Sequence, residues 1–235
     1  MRLSAPLYQL KRKARLLSRR AELPLHAALD RVAAEQGFAS WSLLAAKMAP
    51  PASKLFARLH PGDLLLVAAR PGHGKTLLAL ELAVEAMTQG RPAMFFTLEY
   101  GERQVADRLR ALGVEPSRFA GLFTCDCSDA ISAGHIMAAL AAAPAGTLAV
   151  VDYLQLLDQK RSHPELMTQI RTLRAFARER QLMLVFLSQI DRSYDPAVKP
   201  MPDLDDVRLP NPLDLSLFSK ACFLNDGAVR FHAVN

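Results

Sequence analysis

The fold of this chain is restricted most by one stretch of sequence, in which a short apolar segment is followed by a glycine-rich loop and then by a helical segment. The apolar run 64–68 leads directly into residues 69–76, Ala-Arg-Pro-Gly-His-Gly-Lys-Thr, and a helical pattern covers residues 75–89. This order of strand, loop and helix is the context that a phosphate-binding loop requires. Ala69 replaces the first glycine of the usual pattern, and an accidental glycine-rich turn is the competing interpretation. The flanking strand and helix favour the phosphate loop.

The residue types in this loop predict nucleotide binding. Backbone N–H groups at a helix N-terminus surround a β-phosphate, a lysine such as Lys75 supplies positive charge to the β and γ oxygens, and the hydroxyl of Thr76 can ligate Mg²⁺. The predicted nucleotide-binding residues are Ala69, Arg70, Pro71, Gly72, His73, Gly74, Lys75 and Thr76.

Polar residues follow three later apolar runs, and parallel strands would bring them to the same sheet edge. Asp152 ends one run, where a carboxylate could hold the Mg²⁺ shell beside Thr76. Glu99 closes another run and could orient or deprotonate an attacking water, or simply cap a helix. Gln189 could contact both a γ-phosphate and a moving loop, or be a polar strand end. We therefore expect a catalytic centre at this edge.

Apolar runs alternate with helical patterns from residue 63 onward, which indicates the fold class. Unbroken apolar strands separated by helices are typical of a parallel sheet covered on both faces. Asn225-Asp226-Gly227 predicts a hairpin, and residues 191–206, rich in proline and charge, predict a long loop. The expected architecture is an α/β three-layer sandwich with a mainly parallel sheet. The predicted strands are 63–69, 92–98, 122–125, 147–151 and 182–187.

The first part of the chain has a different pattern. Residues 1–48 predict a small all-helical unit whose third helix is capped by Ser40, residues 49–53 predict a linker, and residues 54–235 form the α/β domain. The first twenty residues contain seven basic side chains and no acidic one. Such a segment suits a phosphate backbone or another acidic partner, and a solvated helix face is the equal alternative. The candidate DNA contacts here are Lys11, Arg12 and Lys13.

Other classes of protein are not expected. The longest apolar stretch, 136–151, is interrupted by Pro144 and Gly146, so a membrane span is not predicted. No apolar signal-peptide core follows the basic N-terminus, which favours a cytoplasmic location. Three cysteines supply neither a disulfide framework nor a four-ligand zinc site, and buried, reduced thiols are the favoured interpretation.

Several strings accompany the phosphate loop in one order over roughly residues 55–225. They are Phe-Thr-Leu-Glu at 96–99, Val-Asp-Tyr-Leu-Gln-Leu at 151–156, Leu-Ser-Gln-Ile-Asp-Arg-Ser at 187–193 and Asp-Val-Arg at 206–208. The combination resembles the RecA-like ATPases, and more closely the ATPase domain of the DnaB-type replicative helicases. The resemblance implies a RecA-like fold, ATP and Mg²⁺ as cofactors, single-stranded DNA as a partner, and assembly into a homo-oligomeric ring or filament.

The resemblance also implies roles for individual residues. Glu99 resembles the catalytic base, Asp152 the Mg²⁺-binding aspartate and Gln189 the γ-phosphate sensor, with Lys75 acting beside them. Arg192 and the loop after it, which contains Lys199, resemble the segment that meets single-stranded DNA.

The chain departs from the family pattern at three places, the first being the short unit of residues 1–48 in place of the family's large N-terminal helical domain. Residues 209–212, Leu-Pro-Asn-Pro, replace a glycine-containing stretch, and residues 221–224, Ala-Cys-Phe-Leu, carry no charge where the family has a Lys-x-Arg pair that reaches the neighbouring subunit's γ-phosphate. Arg208 and Arg230 are the candidates to replace that pair. We therefore expect low ATPase activity and weak or absent strand separation.

Three functions remain open at this point. The leading hypothesis is an ATP-hydrolysing, DnaB-like helicase ATPase that acts on single-stranded DNA. The second is a regulatory or partner-loading ATPase whose N-terminal unit binds a replication or recombination protein. The third is a nucleotide-binding structural subunit with little turnover.

Overall fold

The computed structural model describes residues 7–41, 43–44, 51–158, 164–209 and 211–234, and the chain divides into two compact units, residues 1–50 and 51–235. In the first unit, α1 (Leu7–Arg20) and α2 (Leu25–Glu35) pack through the buried side chains of Leu10, Ala14 and Val32. The hydroxyl of Ser40 accepts a hydrogen bond from the backbone N–H of Leu43 at 3.3 Å, as expected of a helix cap. Residues 45–48 of the predicted third helix lie outside the described residues.

The second unit is built on a seven-stranded sheet, which confirms the predicted fold class. Its strands lie in the order β3-β2-β4-β5-β1-β6-β7, and all neighbours are parallel except β6 and β7, which form the predicted hairpin. The strand bounds are β1 Leu64–Ala69, β2 Ala93–Thr97, β3 Phe123–Asp126, β4 Leu148–Asp152, β5 Met183–Gln189, β6 Lys220–Asn225 and β7 Ala228–Ala233.

Helices cover both faces of this sheet and complete the three layers. One face packs against α3 (Pro51–Phe56), α4 (Lys75–Thr88) and α5 (Glu102–Ala111). The other packs against α6 (Ala133–Ala139) and α7 (Leu166–Arg180), together with the segments that follow β4 and β5. The side chains of β1 alternate between the two cores, Leu64 and Leu66 on one side and Leu65 and Val67 on the other. A strand buried on both faces explains its unbroken apolar run.

The predicted linker is wrong in its second half. Residues 51–53 are not a linker but the first turn of α3, and Ala52 is buried in the same core as β1. Proline is well suited to the first position of a helix, since its missing N–H would have no intrahelical partner there. Pro51 therefore begins a helix, where the sequence pattern indicates a break. Residues 49 and 50 lie outside the described residues.

The strand order places the predicted functional residues side by side. β1 lies between β5 and β6, and Ala69 pairs with Gln189 on one side and Leu224 on the other. β2 lies beside β4, with Thr97 opposite Asp152. These pairs all lie at the carboxyl ends of parallel strands, where open α/β sheets bind ligands. Among the helices of the described residues, none is long and apolar enough to cross a membrane.

Candidate nucleotide site

The glycine-rich loop joins the end of β1 to the start of α4. Gly72 and Gly74 have positive φ angles of 81° and 88°, which a residue with a side chain adopts at a cost. Lys75 and Thr76 begin α4 and are only 7% and 9% exposed, although both are polar. The backbone N–H groups of this first helical turn have no intrahelical partners, so they are available to an anion.

Asp152 and Thr76 meet beneath this loop. The hydroxyl of Thr76 donates a hydrogen bond of 3.1 Å to Oδ2 of Asp152, whose side chain is fully buried at the end of β4. Oδ1 of Asp152 has no hydrogen-bond partner among the described residues. Burial, reinforced by the negative charge of Glu99, raises the pKa of Asp152 to about 6, against the opposing effects of Thr76 and Lys75.

These features fit a divalent cation. A buried carboxylate oxygen without a partner is costly, and a metal ion is one of the few groups that can satisfy it. A carboxylate and a hydroxyl are oxygen ligands of the kind that Mg²⁺ prefers. Thr76 and Asp152, the two predicted metal ligands, could therefore hold Mg²⁺ at this position.

Glu99 lies two residues beyond β2 and is exposed, with its backbone N–H donating to the hydroxyl of Thr97 at 3.1 Å. The negative charge of Glu99 contributes to the raised pKa of Asp152, so the two carboxylates lie within electrostatic range of each other. The alternative role as a helix cap has little support, because α5 begins at Glu102 and the side chain of Gln104 accepts the N–H of Gly101 at 3.0 Å. Glu99 is therefore an exposed carboxylate beside the phosphate loop.

Gln189 ends β5 next to the glycine-rich loop and contacts Arg208. The backbone N–H of Arg208 donates to the carbonyl of Gln189 at 2.8 Å, and its guanidinium lies 3.5 Å from the side-chain oxygen. Arg70, Arg192 and Arg208 line a cavity of about 370 Å³ together with Gln189. Three arginines lining one cavity favour an anionic ligand.

Lys199 is not among the residues that line this cavity. Its ammonium group lies 2.6 Å from the carboxylates of both Asp203 and Asp206, and these hydrogen bonds raise the pKa of Lys199. Residues 191–206 contain five aspartates against one arginine and one lysine. The charge of Lys199 is therefore offset within its own loop, whereas Arg192 is exposed beside the cavity.

The remaining predicted cations lie elsewhere. Lys11, Arg12 and Lys13 are exposed on α1, and Lys13 forms an ion pair with Glu35. Residues 221–224 are buried in β6, between β1 and β7, and Arg230 is exposed on β7 opposite Phe223.

One residue of the site is not singled out by the sequence pattern. The side-chain amide of Gln155 donates to the hydroxyl of Ser188 at 3.3 Å and to the carbonyl of Arg208 at 3.0 Å. It thereby joins the segments after β4 and β5. Its place in the string that follows Asp152 is visible in the sequence, but its partners depend on the fold.

The buried carboxylate of Asp152 predicts a pH-dependent stability in the absence of nucleotide and metal. A pKa raised from 3.8 in the unfolded chain to about 6 means that the folded protein loses stability as the pH rises from about 4 through 6. Asp152→Asn should therefore be more stable than the natural chain above about pH 6, by on the order of 2 kcal/mol, with the difference vanishing below about pH 4. Urea unfolding at several pH values measures this difference. The exposed Asp107→Asn is the control, and equal effects of the two substitutions would contradict the prediction.

The fold agrees with solved structures. One solved ATPase domain superposes with a TM-score of 0.56 at 22% identity, covering 70% of this chain and 69% of that one. A DnaB-like replicative helicase, solved in a study of its interactions with primase, superposes with a TM-score of 0.61 at 19% identity, covering 93% of this chain and 67% of that one. At this identity the likeness concerns the fold, which is RecA-like as predicted.

Relatives found by sequence have a higher identity to this chain than these solved structures, over a smaller part of it. A replicative DNA helicase DnaB from Leifsonia xyli subsp. xyli is 30% identical over 181 residues, 64% of this chain. A probable plasmid replicative DNA helicase from Chlamydia trachomatis serovar L2 is 28% identical over 180 residues, also 64% of this chain. The aligned region spans 40% of the length of each of these relatives.

The family model described as DnaB-like helicase C terminal domain matches residues 53–117 and 124–211. This match includes the phosphate loop, Glu99, Asp152, Gln189 and Arg208, and it covers more than half of the chain. The chain therefore belongs to the family of DnaB-like helicase C-terminal domains.

Proposed function

We propose that this chain is a Mg²⁺-dependent ATPase of the DnaB-like helicase type that acts on single-stranded DNA. The observation that carries the proposal is the buried group of Lys75, Thr76 and Asp152 at the carboxyl edge of the sheet, with one carboxylate oxygen left unpartnered among the described residues. Three buried polar residues are unfavourable in an empty core and favourable beside a metal and a polyphosphate.

The chain's own residues account for substrate binding. The N–H groups at the start of α4 bind the phosphates of ATP, and Lys75 adds a positive charge that has little freedom to move because the side chain is buried. Bound Mg²⁺, held by Thr76 and Asp152, would offset negative charge on the β- and γ-phosphate oxygens.

Glu99 and Gln189 supply the remaining functions. Glu99 is exposed near Asp152, so it can accept a proton from, or orient, a water that attacks the γ-phosphate. Gln189 lies beside the phosphate loop and against Arg208, so it can sense the γ-phosphate and pass its state to the loop that follows β5. The proposed roles of base for Glu99 and γ-phosphate sensor for Gln189 both rest on the position of these residues at the same edge of the sheet.

Two groups of cations are proposed to bind DNA. Arg192 and Arg208 line the cavity beside Gln189, where DNA phosphates would be close to the nucleotide site. The exposed Lys11, Arg12 and Lys13 of α1 form a second basic surface. Lys199 is a poor candidate because two aspartates already neutralise it.

We propose a homo-oligomer, ring or filament, as the active form. The relatives named above are replicative helicases, and one of the two solved structures is a helicase that interacts with primase. For this chain, the corresponding proposal is a replication or recombination protein that binds the N-terminal unit. In the proposed assembly Arg230, which is exposed on β7, would complete the neighbouring active site, because Arg208 already lies against Gln189 of its own chain.

A DNA-independent ATPase is the second candidate. It is favoured by the excess of aspartates in residues 191–206 and by the uncharged, buried segment 221–224. An acidic loop repels a phosphate backbone, and a buried apolar strand provides no cation to a neighbouring subunit. Stimulation of turnover by DNA separates the two candidates.

One prediction concerns ATP turnover with and without single-stranded DNA. The natural chain should hydrolyse ATP with Mg²⁺ and be stimulated by DNA, and Lys75→Ala should weaken nucleotide binding because it removes the buried cation of the loop. Steady-state phosphate release and calorimetric titration measure the two effects. DNA-independent turnover would select the second candidate, and unchanged affinity of Lys75→Ala would remove the phosphate-loop assignment.

Another prediction concerns Glu99. Glu99→Gln should retain nucleotide binding and lower the maximal turnover by about two orders of magnitude, the usual effect of removing a general base. Glu102→Gln, an exposed carboxylate in the first turn of α5, is the matched control and should have little effect. Wild-type turnover by Glu99→Gln would exclude this residue as the base.

A further prediction separates the proposed DNA contacts. Arg192→Ala should reduce the slope of log K against log salt by about 0.7, the value for one lost phosphate contact on a single strand, and Lys199→Ala should leave it unchanged. Deletion of residues 1–20 should reduce the slope by several such steps. Fluorescence anisotropy with a labelled oligonucleotide provides the binding curves. An equal effect of Arg192→Ala and Lys199→Ala would contradict the assignment.

A further inference from the structure

The segment between β5 and Arg208 is a closed, internally bonded loop. Its ends are joined where Ile190 pairs with Val207 and the N–H of Asp191 donates to the carbonyl of Asp206 at 2.7 Å. Tyr194, the fourth residue of the loop, is only 4% exposed and donates its hydroxyl to the carbonyl of Lys199 at 2.6 Å. The ion pairs of Lys199 then hold the two halves of the loop together. We call residues 191–206 the tyrosine loop.

Arg70 connects the phosphate loop to this tyrosine loop. Its guanidinium donates a hydrogen bond to the backbone carbonyl of Tyr194 and lies 3.5 Å from the carbonyl of Arg192. The same guanidinium lies over the Tyr194 ring, 5.3 Å from the ring centroid. One side chain of the phosphate loop thus contacts both the backbone and the ring of Tyr194, a buried residue of the tyrosine loop.

Such a contact links the two loops thermodynamically. Nucleotide binding restricts the backbone of the phosphate loop, which includes Arg70, because the phosphates accept hydrogen bonds from its N–H groups. The contact between Arg70 and Tyr194 requires one particular arrangement of both loops, so restricting the phosphate loop favours that arrangement of the tyrosine loop. The linkage is reciprocal, so ordering of the tyrosine loop also favours nucleotide binding. The planar guanidinium, which both stacks and donates, is suited to this contact in a way that lysine is not.

We propose that Arg70 is a positioning residue that couples nucleotide occupancy of the phosphate loop to closure of the tyrosine loop. The inference rests on the proposed function, since it requires that a nucleotide binds at the phosphate loop. It adds a second connection to that of Gln189, which reaches the loop only at its ends, through the strand pairing of β5 and through Arg208. Arg70 acts on Tyr194 inside the loop, so its loss should uncouple Tyr194 while leaving the ends paired.

Hydrogen exchange followed by mass spectrometry tests this proposal on the full chain. Peptides within residues 191–206 should exchange about tenfold more slowly when Mg²⁺ and the non-hydrolysable analogue AMP-PNP are added at saturation. In Arg70→Ala this nucleotide-dependent protection should fall below about twofold, while α4 retains its own protection by nucleotide. Calorimetry on each variant establishes the concentration that saturates it.

Two variants control for structure. Tyr194→Phe keeps the ring and the backbone carbonyl that Arg70 contacts, so it should retain the nucleotide-dependent protection despite losing the bond to Lys199. Arg110→Ala removes an exposed arginine of α5 and should behave as the natural chain. If Arg70→Ala does not bind nucleotide or does not fold, Arg70→Lys replaces it and should lose most of the protection, because lysine cannot both stack and donate in the same plane.

The outcomes separate this inference from the proposed function. A natural chain that binds no nucleotide would overturn both. Nucleotide binding with equal loop protection in the natural chain and in the Arg70 variants would overturn the coupling role alone, and would assign the connection to Gln189. Loss of protection in Tyr194→Phe to the same degree as in Arg70→Ala would also overturn it, because the effect would then follow from the internal bonds of the loop.

Discussion

Burial of a carboxylate beside a lysine and a hydroxyl is the constraint on which the rest of the site depends. Asp152 is fully buried at the end of β4, and its pKa is raised because burial and Glu99 outweigh the stabilising contacts with Thr76 and Lys75. Such a group destabilises the folded chain unless a cation satisfies it. The sheet therefore carries a local energetic cost at its carboxyl edge, and that cost is the physical basis on which we propose a metal-dependent nucleotide site.

The fold and the centre of the site are accessible from the sequence because their signals are local. Apolar runs between helical patterns predict the parallel sheet, and the strand-loop-helix order around Lys75 predicts the phosphate loop. Asp152 and Gln189 each end a strand and Glu99 follows one, so their common edge results from parallel topology alone. The structure brings these residues to that edge, and their chemical roles stay predictions.

The contacts between distant segments are not accessible in this way. Arg70 and Tyr194 belong to different loops, and no spacing in the sequence pairs them. Lys199 and Asp203 are four residues apart, yet the proline-rich pattern predicts no helix there, so their ion pair depends on how the loop closes. Pro51 is ambiguous in the sequence because proline both ends helices and begins them, and only the burial of Ala52 distinguishes the two cases.

The position of β1 in the sheet has a consequence for how the protein is made. Leu64 pairs with Leu184 and Leu65 pairs with Lys220, so both neighbours of the strand that carries the phosphate loop come from late in the chain. During synthesis the apolar strand β1 therefore stays without both of its partner strands until β5 and β6, and with them almost the whole second unit, have left the ribosome. Non-local pairing of this kind slows folding and exposes chains to aggregation. The candidate nucleotide site is therefore among the last parts of the second unit to form, and ribosome-bound chains that end before β6 cannot yet have it in its final shape.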